Sequence, residues 1–173
     1  ADNTIIIYSS DHGSFMGAHG LIGKWLLYEE SIRVPLIVWD GRLPKNRRGV
    51  RHDAMALNID WGPTMLDYAS VTIPEVMQGK SLRPLVEGEK DAIRKDAYFE
   101  HTYVHHDNIR SSEAVRTEDW KYIRYFRQDP AYEELFHLKE DPKELHDLAQ
   151  DPAYADTLTR LRARCDTFRE ELE

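Results

Sequence analysis

The sequence predicts an α/β fold: the remnant of a large, mostly parallel sheet flanked by helices, followed by a small antiparallel α+β unit. Three observations predict it. Two short runs, Ile5–Tyr8 and Val34–Trp39, are rich in β-branched and aromatic residues without alternation, as strands covered on both faces are. Beyond residue 108 the pattern changes to alternation, clearest in Trp120–Phe126. The chain then ends on an apolar stripe at helical spacing, Tyr154, Leu158, Leu161, Cys165, Phe168 and Leu172.

Taken in order, the first run stops at Ser9-Ser10-Asp11-His12-Gly13. In open α/β sheets the carboxyl edge of the strands is where ligands bind. Ser, Asp and Gly are equally ordinary turn formers, and the five residues alone leave both readings open. Residues 21–33 read as a loop entering a short helix, with Leu26, Leu27 and Ile32 turned inward. Asp40–Asp53 is a polar, basic loop. Asn58–Val71 reads as a helix with Asp60 as N-cap, Pro63 in the first turn, and Met65, Leu66 and Ala69 as its apolar stripe. Residues 72–95 are irregular, and Ala97–His101 is a candidate strand. A hairpin follows, Ala114–Thr117 and Trp120–Phe126 about a Glu118-Asp119 turn, with Glu134–Leu138 as a third strand. Asp151-Pro152 opens the last helix as N-cap and first helical residue.

The chain has 173 residues, 41% hydrophobic and 31% charged, a globular composition. A net charge of −8 argues against nucleic-acid binding, which needs a basic patch. The basic residues of Arg42–Arg51 are interrupted by Gly, Pro and Asn and read as a solvated loop. No apolar run approaches the roughly 20 residues of a membrane span. The single Cys165 excludes an internal disulfide, and its place in the helical stripe reads as packing. Two strands do not make a covered parallel sheet. The expectation is therefore that a substantial part of the protein lies upstream, and that this chain associates with that part or with itself.

Chemistry concentrates near the first strand. Asp11 and His12 can both offer lone pairs to a divalent cation. Two ligands are too few, because calcium takes roughly 6–8 and magnesium is near-octahedral. Lys24, between Gly23 and Trp25, carries an ammonium suited to an anion such as sulfate or phosphate. Tyr103, His105, His106 and Asp107 sit in a polar loop where exposed histidines need no special role.

The stretch SSDHGSFMGAHGLIGKWLLYEESIRVPLIV resembles the second metal-binding segment of the sulfatase family, within the alkaline-phosphatase-like superfamily. NIDWGPTMLDYASVTIPEVMQGKSLRPLVEG, the AVRTEDWKYIRYF hairpin and ELFHLKEDPKELHDLAQDP are similar to later family segments, in the family's order. The resemblance implies residues 1–108 as the C-terminal part of the catalytic α/β domain and 109–173 as a small C-terminal subdomain. It implies Asp11 and His12 as metal ligands, to calcium or alternatively magnesium. Lys24 would contact the sulfate group and neutralise charge on the leaving oxygen. His19, His105 and His106 are candidate residues at the substrate pocket. The implied substrate is a sulfate ester, small-molecule or carbohydrate. A phosphonate monoester or phosphodiester hydrolase of the same superfamily is the alternative, and a non-catalytic anion- or partner-binding module is a third. Sulfatases also carry a Cys/Ser-x-Pro-x-Arg motif whose Cys or Ser becomes formylglycine. This sequence has no such motif. The nucleophile is expected upstream, and the chain alone is expected not to turn over.

Overall fold

The computed structural model describes residues 2–102, 109–127 and 129–172. In chain order the elements are β1 (Ile5–Ser9), α1 (Glu29–Ile32), β2 (Leu36–Asp40), α2 (Trp61–Tyr68), α3 (Arg83–Val86), β3 (Asp96–His101), β4 (Ser112–Thr117), β5 (Trp120–Tyr125), β6 (Tyr132–His137) and α4 (Ala155–Leu172). They form an α/β chain of two compact units. One comprises residues 1–11 and 34–95, the other 12–33 and 96–173. The units thus interleave along the chain, whereas the expectation of 1–108 and 109–173 is a single cut. The segment 12–33 belongs with the C-terminal strands because its apolar side chains pack on them.

In the first unit β1 and β2 pair antiparallel, Ile6 opposite Trp39 and Tyr8 opposite Ile37. This corrects the reading of the two as parallel strands. An unbroken apolar run has no period, so it carries no information on the direction of its neighbour. Burial does alternate: Ile6, Tyr8, Ile37 and Trp39 form one face, between 41% and 61% exposed. The predicted helix at 58–71 is a single 3₁₀ turn, Asn58–Asp60, followed by α2. Its inward residues are Pro63 and Thr64, while Met65 of the expected stripe is exposed.

Asp60 organises this unit, though by a different route from the helix cap expected of it. Its side chain makes no hydrogen bond to α2. Instead Oδ2 accepts from Leu57 N at 2.7 Å and Oδ1 from Lys80 N at 2.8 Å. The Arg94 guanidinium closes the cluster with a two-pronged pair at 2.5 Å on each oxygen. A fully buried carboxylate is tolerable only when so satisfied. Gly79 lies against this turn, and a Cβ there would meet Ile59 O at 1.9 Å, so no other residue fits.

In the second unit β3, β4, β5 and β6 form an antiparallel meander in that order. The hairpin and the third strand expected from alternation are present. Because side chains alternate across a strand, the sheet has two faces. Val115, Tyr122 and Leu135 face α4, packing with Leu161 and Cys165. Ala114, Ile123, Tyr125 and Phe136 face the other way, against Leu27, with Leu26, Tyr28 and Ile32 around them. Asp151 caps the entry to α4 by accepting from Ala153 N at 2.9 Å, and a 3₁₀ turn, Pro152–Tyr154, leads in.

Cys165 is packing, as its place in the stripe indicates. It is fully buried, and burial pushes its thiol up to about 12. The thiolate is the nucleophile, so alkylation by iodoacetamide at pH 8 should be negligible until the chain is unfolded in denaturant. Modification of the folded chain at the rate of a free thiol would contradict this packing.

Candidate functional site

Asp11 lies two residues beyond the end of β1, in the first unit, and its backbone is fixed there. The Asn58 side-chain amide donates to the Asp11 carbonyl at 2.8 Å. Ser10 Oγ lies 3.4 Å from Asp11 Oδ1. Asn58 went unremarked in the sequence because its partner is 47 residues away.

His12 and Lys24 belong to the second unit, within residues 12–33. This segment is tied across its width by backbone bonds. Gly13 N donates to Ser31 O at 2.7 Å, Phe15 N to Gly23 O at 2.8 Å, and Gly17 N to Leu21 O at 2.9 Å. The first tie requires glycine, since a Cβ on Gly13 would sit 2.0 Å from Glu30 O. His12 Nδ1 lies 2.7 Å from the Gly13 carbonyl. A carbonyl only accepts, so Nδ1 carries the proton and the Nε2 lone pair faces outward. Lys24 Nζ meets that nitrogen in a short hydrogen bond and stands 5.1 Å from the Trp25 ring centroid.

The segment is held on the sheet by charge as well as apolar packing. Glu29 pairs with Arg116 at 3.1 Å and with Lys121 at 2.9 Å, and Lys121 pairs with Glu144 at 2.7 Å. Glu29 N also donates to Glu144 Oε2 at 2.6 Å. Burial alone would raise both acids. At Glu29 the Lys121 and Arg116 charges outweigh it and hold the carboxyl below its ordinary range. At Glu144 burial wins over Lys121, and the carboxyl is raised. The signal for Lys121 was available: it is in phase with Ile123 and Tyr125, on an inward face.

His19 stacks on Tyr28 at 4.5 Å and meets the edge of Phe15 at 6.1 Å, with Nε2 3.4 Å from the Glu30 carboxylate. His105 and His106 lie outside the described residues. Among the described residues no group of three or more His, Cys, Asp or Glu side chains could hold a metal ion. As a donor set, the Asp11 carboxylate suits a hard cation, whereas the Nε2 lone pair of His12 is taken up by the hydrogen bond from Lys24 and would ligate a cation only on exchanging that bond. Each could supply at most one or two of the donors a hard cation needs. A cavity of about 260 Å³ in the second unit, lined by Glu29, Arg116 and Lys139 among others, includes neither His12 nor Lys24.

Residues 17–171 match the family described as N-sulphoglucosamine sulphohydrolase, C-terminal. The chain belongs to this sulfatase family. It is 37% identical over 159 residues to an N-acetylglucosamine-6-O-sulfatase of Bacteroides thetaiotaomicron, covering 89% of this chain and 28% of that protein. The fold matches a protein solved in complex with its substrate D-glucosamine-2-N,6-O-disulfate, with a TM-score of 0.89 and 34% identity. That match covers 99% of this chain and 35% of the other. The phosphonate monoester hydrolase of Agrobacterium radiobacter superposes with a TM-score of 0.85 at 25% identity, over 99% of this chain and 36% of its own. This sulfatase-family chain spans about a third of the length of the curated relatives it matches. No helix among its described residues is long and apolar enough to cross a membrane.

Proposed function

We propose that this chain is the C-terminal part of a metal-dependent sulfatase that hydrolyses a sulfate ester to an alcohol and sulfate. The observation that carries the reading is Lys24, whose ammonium is fixed beside His12 at the end of a strand-terminal Asp-His-Gly turn. Asp11 and His12 contribute to a calcium site, with magnesium as the alternative ion. The cation, when bound, neutralises charge on the sulfate oxygens. Lys24 offers an ammonium to the sulfate and to the leaving oxygen, where negative charge grows as the ester bond breaks. A preorganised charge aimed at that oxygen lowers the barrier more than it strengthens ground-state binding. Asn58, through the Asp11 carbonyl, fixes where the carboxylate begins.

The formylglycine nucleophile and the remaining ligands belong to an upstream part of the same protein. The exposed apolar face of β1 and β2 supports that assignment, because Ile6, Tyr8, Ile37 and Trp39 form a contiguous patch on paired strands. The chain alone is inactive for want of a nucleophile. The relative that acts on N-acetylglucosamine 6-sulfate and the neighbour bound to a disulfated glucosamine favour a carbohydrate sulfate as substrate. The likeness to a phosphonate monoester hydrolase favours, as a second reading, a phosphonate or phosphodiester substrate at the same residues.

The metal assignment has a direct test. In the full-length enzyme, Asp11→Ala should lower bound calcium, measured by elemental analysis after gel filtration, and reduce sulfate release by at least about 100-fold. Undiminished calcium together with wild-type turnover would remove Asp11 from the site.

A further inference from the structure

Lys24 is four residues before Tyr28, and Tyr28 is clamped at both ends. Its hydroxyl donates to Glu134 Oε1 at 2.7 Å, while Tyr125 donates to Oε2 of the same carboxylate at 3.1 Å. Its ring is stacked on His19 at 4.5 Å, meets the edge of Phe15 at 6.1 Å and tilts against Phe136 at 5.8 Å. Glu134 is buried on the inward face of β6, in phase with Phe136, and desolvation raises its carboxyl. A buried acid with both oxygens committed to phenols is a costly arrangement unless every partner is present. Between Lys24 and Tyr28, Trp25 has a φ of 98°, in the left-handed region. A bulky residue keeps such a backbone only where its surroundings fix it.

We infer that Tyr28, anchored by Glu134 and Tyr125, is a positioning residue that sets where the Lys24 ammonium stands. Tyr28 touches no reacting atom in this account. It anchors the chain to the sheet four residues beyond Lys24, and the Gly13–Ser31 bond ties the two ends of the segment. The inference rests on the role of Lys24 in the proposed function. The competing account is that Tyr28 only adds stability. It is separable, because a displaced lysine lowers kcat whereas lost packing lowers Tm. Tyr122 is the control: a fully buried phenol on the opposite face of β5 from Tyr125, hydrogen-bonded to Glu133 and packed in the cluster under α4.

The experiment measures kcat, KM and Tm of the full-length enzyme on an aryl sulfate. The variants are Tyr28→Phe, Glu134→Gln, Tyr122→Phe, Lys24→Ala, and Tyr28→Phe combined with Lys24→Ala. Tyr28→Phe keeps the ring and removes only the hydroxyl. Glu134→Gln leaves one of the two phenols facing an amide NH₂ that cannot accept. Both should lower kcat by roughly tenfold with KM changed less than about threefold, a misplacement of well under 1 Å. Tyr122→Phe should lower Tm comparably and leave kcat unchanged. In the Lys24→Ala background, Tyr28→Phe should change kcat by less than about twofold, because the group it positions is gone. Wild-type kcat in both Tyr28→Phe and Glu134→Gln would overturn the inference, as would a tenfold loss that persists without Lys24. If Lys24→Ala itself retains wild-type kcat, the role of Lys24 fails first and the positioning role with it. Should Tyr28→Phe not fold, Glu134→Gln alone and combined with Lys24→Ala decides the matter.

Discussion

Replacing Lys24 by alanine in the full-length enzyme should lower kcat for an aryl sulfate by about 10²–10³-fold and leave the fold intact. The direction follows from where charge develops. In the ground state the ester sulfate carries one negative charge, spread over its oxygens. As the ester bond lengthens, a second charge grows on the leaving oxygen, and an ammonium preset beside it stabilises that state preferentially. Lys24 is preset: His12 Nε2 accepts from it and the Trp25 ring lies 5.1 Å away. The arms on either side are joined by the Phe15–Gly23 backbone bond. The loss should be smallest for substrates with strongly acidic alcohols, whose leaving oxygens need least help. The measurement is a series of aryl sulfates of rising leaving-group pKa, assayed with wild type and variant. A loss independent of leaving group would assign Lys24 to binding the sulfate oxygens only. A Lys24→Ala enzyme of wild-type activity would take it out of the site.

Asp60→Ala should destabilise the chain by about 3–5 kcal/mol, the largest stability effect anticipated here. Removing the carboxylate strips Leu57 N and Lys80 N of their acceptor. It also strands the Arg94 guanidinium, which is 7% exposed and, among the described residues, keeps the Met55 carbonyl at 3.2 Å as its remaining partner. A buried cation without its counter-charge costs more than the pair contributed. For a chain of this length the loss corresponds to about 10 °C in Tm, read by thermal unfolding followed by circular dichroism. Adding Arg94→Met to the variant should recover part of the loss, since the stranded charge is then absent. Unaltered stability in Asp60→Ala would show that water solvates this cluster and that its burial contributes little.

Much of the fold was legible because its signals are local. The meander of β4, β5 and β6 follows from period-two alternation, and Asp151 before Pro152 marks the start of α4 through groups two residues apart. The direction of β1 against β2 was not legible, because a run such as Ile5–Tyr8 is apolar at every position and the burial contrast is set by what lies on each side. Asp60 was visible as a helix-boundary residue. Its real partners, at Lys80 and Arg94, are 20 and 34 residues away. At the candidate site, Asp11, His12 and Lys24 stood out by residue type and took their roles from the sulfatase resemblance, and the fold brings His12 and Lys24 into contact. Their supports were hidden by distance: Tyr28 meets Glu134 across 106 residues, and Glu29 meets Arg116 across 87. Glu134 and Lys121 nevertheless left a trace, each a charged residue in phase with the apolar face of its strand. Charged residues in that phase are rare without partners, so they mark where a distant segment docks.

The most direct test of the account is the substrate preference of the purified full-length enzyme, measured as kcat/KM for an aryl sulfate against the matching aryl phosphonate monoester and aryl phosphate diester. The sulfate should be preferred, and Asp11→Ala and Lys24→Ala should each lower that activity by at least about 100-fold. A preference for the phosphonate or the diester would assign the same residues to the other branch of the superfamily, and hydrolysis of none of the three, nor of glucosamine 6-sulfate, would contradict a catalytic role.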